Sequence, residues 1–262
     1  MALKLLTVEA GQGVVWVRRG FTEFFRRPLG YLSLFLTFMV TALFVSVFPY
    51  IGSVLLIMAM PLLTLGFMMG TRESMLGKPV LPSIYLVPWR GDLRRRRSLL
   101  ALMGLYALAT LGMLLLCNLI DGGSFDALVS AVAQGDGSPD ALQALADAPG
   151  VLAGAIARVV LTVLLSVPFW HAPALMQWSG QGLAQALFSS ALALWRARAA
   201  YLVFVATWVL ALSLIGAVCS LVFTLLGEVP TASLLFFVGL ITSCSFYITL
   251  YFGFVDCFGE PA

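Results

Sequence analysis

Arg90-Gly91-Asp92-Leu93-Arg94-Arg95-Arg96-Arg97 lies between long apolar runs, and its five arginines fix how the rest of the chain threads a membrane. Immediately after it, residues 98–117 carry no charge. At about 1.5 Å of helical rise per residue such a run crosses a hydrocarbon layer of roughly 30 Å. Asn118 and Asp121-Gly122-Gly123 close it. Immediately before the block, residues 72–97 include Arg72 and Lys78 and are interrupted by Pro79, Pro82 and Pro88. That pattern predicts a loop holding short interfacial pieces, with no long helix.

Upstream of this loop, residues 29–48 form an uncharged run of twenty and residues 53–70 return, joined by the turn Pro49-Tyr50-Ile51-Gly52. Pro61 should bend the second run. Gly66 and Gly70, four apart, offer a smooth strip for close helix packing. Ahead of the first run, Val14, Val17, Phe21, Phe24 and Phe25 recur at helical spacing, with Arg18, Arg19, Thr22, Glu23 and Arg26 on the opposite face. Residues 14–27 therefore read as an amphipathic helix that ends at Arg27-Pro28. It either lies in the headgroup layer, with Trp16 near the boundary, or packs on the other helices. Both alternatives place its basic face in water. Residues 1–13 lack an apolar core and a cleavage pattern, so no removed signal peptide is expected.

Downstream, residues 119–150 contain Asp121, Asp126, Asp136, Asp140 and Asp147 with no lysine or arginine, which predicts an aqueous acidic loop. Ser138-Pro139-Asp140 is a helix start, with a capping serine, proline at the first position and an acid near the positive end of the dipole. Setting Pro168 on Pro61 places the fourth span at about 155–178, with Arg158 at the membrane edge, where its stem is expected to snorkel toward water. Residues 180–198 read as a second interfacial helix, with Leu183, Leu187, Ala191 and Leu194 on one side and Trp195-Arg196-Ala197-Arg198 at its end. Spans at 200–226 and 231–254 follow, joined by Gly227-Glu228-Val229-Pro230. Three basic or amphipathic stretches, at 14–27, 80–97 and 180–198, thus each precede a hairpin. The resulting expectation is a single all-α membrane domain of six transmembrane helices arranged as three hairpins.

Composition agrees with this class. The chain of 262 residues is 61% hydrophobic and 10% charged, against about 25% charged in soluble domains, and its mean hydropathy is +1.02. Fourteen of the fifteen basic residues, all but Arg158, fall on the face that carries the N-terminus, the 71–97 loop and the 180–198 helix. The positive-inside rule makes that face cytoplasmic, with both termini inside and the acidic loop outside.

The motifs give little chemistry. Cys117, Cys219, Cys244 and Cys257 are widely spaced and read as free, buried thiols. His171 is the single histidine, in Pro168-Phe169-Trp170-His171-Ala172-Pro173, without a neighbouring acid for a three-ligand metal site. It reads as a polar residue near the cytoplasmic end of a kinked span. Asp256, the most membrane-proximal carboxylate, is expected to partner a cytoplasmic arginine, the alternative being a proton or cation path. No hydrolase, P-loop, zinc-protease or dinucleotide fingerprint occurs, so neither enzyme activity nor a cofactor is expected. The candidate contacts for anionic lipid or a partner are Arg18, Arg19, Arg26, Arg27, Arg90, Arg94, Arg95, Arg96, Arg97, Arg196 and Arg198. Nucleic acid is not expected, because these residues adjoin a membrane and lack an attached domain.

The segment Pro168-Phe169-Trp170-His171-Ala172-Pro173-Ala174-Leu175, followed by Ala186-Leu187-Phe188-Ser189-Ser190 and Trp195, resembles a proteobacterial family of uncharacterised multi-span inner-membrane proteins. Trp16-x-x-x-Gly20-Phe21 and the Arg27-Pro28 entry look similar too. Family members carry an F-A-P-A-L-like segment, then an amphipathic helix, then a hairpin, and His171 stands where an aromatic or apolar residue is usual. The resemblance implies a bacterial inner-membrane location and brings no activity with it. The function expected is that of a non-enzymatic scaffold, assembly factor or accessory subunit that binds membrane lipid, another membrane protein or a second copy of itself. The alternative is a small-molecule or lipid transporter.

Overall fold

The structure, a computed structural model, describes residues 5–134 and 139–261. Among these residues there are helices and connecting turns, with no strand. Six of the helices are long and apolar enough to cross a membrane, as expected for an all-α membrane protein. In hydrocarbon a helix satisfies every backbone donor and acceptor within its own segment, which is why so apolar a chain adopts this form. The chain divides into two compact units, Met1–Met103 with Pro168–Ala262, and Gly104–Val167.

In the first unit, helix α1 (Gln12–Arg26) packs on α10 (Arg198–Leu226) and α11 (Glu228–Phe258). Of the two alternatives for this amphipathic helix, the protein adopts packing against the bundle. Trp16 is only 1% exposed, and its ring lies 5.1 Å from that of Tyr201. Two glycines allow the close approach. A Cβ added at Gly13 would fall 2.3 Å from the carbonyl oxygen of Ala200, and one at Gly20 would fall 2.8 Å from that of Ser245. Backbone atoms cannot yield as flexible side chains do, so these contacts require the absence of a side chain.

Proline at the first position of α2 (Pro28–Ser46) ends α1 and starts the first span. The turn into α3 (Ile51–Met75) uses Tyr50 at φ 60°, and α3 continues past residue 70 to Met75 with Pro61 inside it. The following segment forms a 3₁₀ helix, Pro82–Arg90. Its Tyr85 is deeply set, and burial pushes the phenol well above its ordinary range, so the hydroxyl stays protonated and donates to the Leu34 carbonyl at 3.4 Å. Helix α4 (Leu93–Asp121) begins earlier than the expected start at residue 98. Arg94 to Arg97 are therefore helical, which corrects the loop expected there. Asp92 accounts for the difference: its Oδ1 accepts the Arg95 N–H at 3.0 Å, a capping contact that starts the helix.

In the second unit, α5 (Ser124–Gln134) and α6 (Pro139–Ala146) occupy the acidic connection. The expected capping residue Ser138 lies outside the described residues. Helix α7 (Pro149–Phe169) ends one residue after Pro168, and α8 (Ala172–Ser179) resumes with Pro173 in its first turn. Helix α9 (Leu183–Arg196), in the first unit like α8, contacts α8, and its Ala186, Ser190, Ala193 and Leu194 are buried. Leu183 and Leu187, from the leucine-bearing side, are partly buried against the core.

Gly13→Val should lower stability by about 1–3 kcal/mol, the usual range for overpacking. The measurement is a thermal melt in mild detergent, with Gly11→Ala as the control, since a Cβ at Gly11 meets nothing within 4 Å. Equal midpoints for the two variants would contradict the packing of α1.

Candidate functional site: a basic face and its cleft

Packing fixes which residues of α1 face water. Arg18, Arg19 and Arg26 are exposed, and the Arg19 guanidinium stands 5.7 Å from the Phe252 ring centroid. Glu23 departs from the expected polar face, being 5% exposed. It accepts hydrogen bonds from Tyr31 Oη at 3.2 Å and from Ser74 Oγ, and Arg26 lies 3.8 Å away. Two hydroxyl donors thereby replace the water this carboxylate gives up. The wheel projection misplaced Glu23 because it counts charge without knowing that α2 and α3 carry donors opposite it.

Arg27 joins α1 to α2, and its guanidinium donates to the Lys78 carbonyl, tying the start of the first span to the loop after α3. Gly66 meets the ring of Tyr85, and Gly70 meets Leu34 and Val80, so this glycine pair receives the 3₁₀ segment and its approach as well as α2. Arg90, Arg94, Arg95, Arg96 and Arg97 are all exposed. Arg96 Nε donates to the Gly91 carbonyl at 3.0 Å, which leaves Arg94, Arg95 and Arg97 projecting from the first turns of α4. Farther along, Arg196 is exposed and the Arg198 guanidinium stands 5.4 Å from the Trp195 ring centroid.

Beside the start of α4 lies a cleft of about 290 Å³. Arg94, Arg95 and Ser98 line one side, and Gln177 and Gln181 line another. Its apolar surface comes from Leu65, Leu99, Pro173 and Met176. Asp92 also borders it, but one oxygen of that carboxylate is held by the helix cap. The amide oxygen of Gln181 is buried without a hydrogen-bond partner in the described structure. The sequence singled out the arginines but not the glutamines, whose only signal was their place on either side of Gly180.

The other polar candidates are occupied in helix contacts. His171 is fully buried, and its Nε2 shares a 2.6 Å hydrogen bond with Tyr201 Oη, while its backbone N–H donates to Ser190 Oγ at 3.0 Å. It thus joins the break between α7 and α8 to α9 and α10. Asp256 accepts the Trp16 indole N–H at 2.7 Å, which replaces the expected arginine partner with an aromatic donor from α1. Arg158 departs most from expectation. Instead of snorkelling, it pairs with Asp121 at 2.5 Å and Asp126 at 2.7 Å, and it also donates to Asn118 Oδ1 at 2.9 Å. Asp121 ends α4, where a carboxylate meets the negative end of the helix dipole, and Arg158 supplies the compensating charge. Gly154 leaves room for this acid, because a Cβ there would fall 2.1 Å from Asp121 Oδ2. All four cysteines are buried and free. Among the described residues no three His, Cys, Asp or Glu side chains are grouped to hold a metal ion.

Removing one member of a shielded ion pair leaves the other charge without its partner. Asp121→Asn should therefore lower the thermal midpoint in detergent clearly more than Asp126→Asn, whose carboxylate is 55% exposed. Equal effects would contradict the dominance of the inner pair.

The chain is 30% identical, over 264 aligned residues spanning 99% of it and 96% of the relative, to a Burkholderia thailandensis protein described as probable inner membrane protein BTH_II0599. No family model matches. No solved structure matches either. Identity sustained over nearly the full length of both chains, together with six apolar helices, places this chain in the family of that protein as a multi-pass inner-membrane protein.

Proposed function

We propose that the protein is a non-enzymatic inner-membrane scaffold, assembly factor or accessory subunit that binds anionic lipid together with another membrane protein or a second copy of itself. One observation carries this reading. The arginines of α1, of the 90–97 block and of the end of α9 are exposed, while the buried polar side chains Glu23, Asp121 and His171 and the half-buried Asp256 are engaged in helix-to-helix contacts. A protein whose inner polar groups are spent on holding helices together, and whose outer charge is concentrated, is suited to holding a partner more than to transforming a substrate. Each basic residue near an anionic surface contributes about 1 kcal/mol of attraction. The positive-inside rule makes this face cytoplasmic, with both termini inside.

Extraction in mild detergent followed by identification of bound lipids and proteins tests the reading. A fixed partner or retained anionic lipid is expected. A monomeric chain free of both would overturn it. Replacing Arg94, Arg95, Arg96 and Arg97 with glutamine should leave topology intact, because the α1 and α9 arginines still anchor the same side. Cytoplasmic and periplasmic reporter fusions check this, and inversion of the third span would contradict it.

A further inference from the structure

We propose that the cleft beside the start of α4 binds a phosphoglycerol-type anion, a phosphate ester carrying a free hydroxyl. This rests on the lipid-binding part of the function proposed above and assigns it a place and a headgroup class. Arg94 and Arg95 supply two permanently charged guanidinium groups whose planar forks match phosphate oxygens. Asp92 offsets part of that charge, but its engaged oxygen leaves the two arginines dominant. The Ser98 hydroxyl lies in the same lining and can donate to the ester.

The buried Gln181 amide oxygen sets the second requirement. An acceptor withdrawn from water without a partner is costly, so a turn of the Gln181 amide toward the cleft that this side chain lines, where a hydroxyl brought by the ligand donates to it, is favoured. A glycerol ester carries such a hydroxyl a few bonds from its phosphorus, so that one ligand reaches both the arginines and the glutamine. The size agrees as well. A cleft of about 290 Å³ is at the small end of ligand sites, which run from roughly 300 to 1,000 Å³, and so suits a headgroup more than a whole lipid. Leu65 and Met176 give it an apolar side along which the first carbons of an acyl chain can lie. A headgroup of phosphatidylglycerol and free glycerol 3-phosphate share this chemistry.

Native mass spectrometry of the full chain, delipidated in detergent and then titrated with short-chain phosphatidylglycerol, tests the site. Wild type should bind one molecule preferentially over phosphatidylethanolamine. The double variant Arg94→Gln/Arg95→Gln should weaken that binding at least about tenfold, as expected for two basic contacts. Arg72→Gln/Lys78→Gln, which removes the same charge at positions outside the lipid-contact set, should stay within about twofold of wild type. Gln181→Leu should weaken phosphatidylglycerol and leave phosphatidylmethanol, a diester of the same charge without that hydroxyl, nearly unchanged. A thermal melt within a few degrees of wild type identifies variants that remain folded. Displacement of the bound lipid by millimolar glycerol 3-phosphate would assign the site to the soluble ester, and resistance to it would assign the site to the lipid; each supports the proposal. Equal weakening by the two double variants would show diffuse surface attraction and overturn the site, with the broader lipid-binding function intact. Absence of any lipid or protein bound to the wild-type chain would instead overturn both.

Discussion

The lodging of α1 against α10 and α11 is the constraint on which the first unit depends. This helix is neither long enough nor apolar enough to be a span, yet Trp16 is enclosed and its indole N–H reaches Asp256, 240 residues away along the chain. Gly13 and Gly20 bring the backbones together, and Glu23 extends the contact to Tyr31 and Ser74. Close backbone packing and interhelical hydrogen bonds are the attractions that remain when hydrocarbon already surrounds both helices, because lipid is as apolar as leucine. An amphipathic helix of a composition suited to the lipid surface is thereby made part of the core.

That docking also determines the outer chemistry. With Trp16, Val17, Gly20, Glu23 and Phe24 turned inward, Arg18, Arg19 and Arg26 are left on the exposed side. Arg27 then ties the entry of α2 to the loop after α3, and the Val80 and Tyr85 contacts on Gly30, Gly66 and Gly70 hold the 3₁₀ segment. From there the chain enters α4, whose cap at Asp92 positions Arg94 and Arg95 at the cleft. The arginine block is thus presented on a regular helix, with side chains in a defined register.

Much of the fold was legible in the sequence. Uncharged runs reveal spanning helices because length and apolarity are properties of a contiguous segment, and prolines and glycines punctuate the same segments. The exposure of Arg18, Arg19, Arg26, Arg196, Arg198 and the arginines of the 90–97 block was legible for the same local reason. The partnerships were not. Arg158 finds Asp121 and Asp126 at separations of 37 and 32 residues, and no period or spacing encodes that meeting. His171 and Tyr201 meet only because α7 breaks and α10 passes beside the break. Gly13 and Gly20 could not be distinguished from the other glycines until their opposing backbones were known. Glu23 was assigned to water because a helical wheel records polarity, whereas its place is set by the hydroxyls that α2 and α3 bring to it.

The most direct measurement is amide hydrogen exchange of the full chain in nanodiscs, which distinguishes a helix held in a packed core from one resting at a lipid surface. The amides of Gln12–Arg26 should exchange as slowly as those at the Cys257 end of α11, since both belong to one packed unit. Exchange of that helix orders of magnitude faster than α11, as for a segment that detaches and refolds at the interface, would contradict the account.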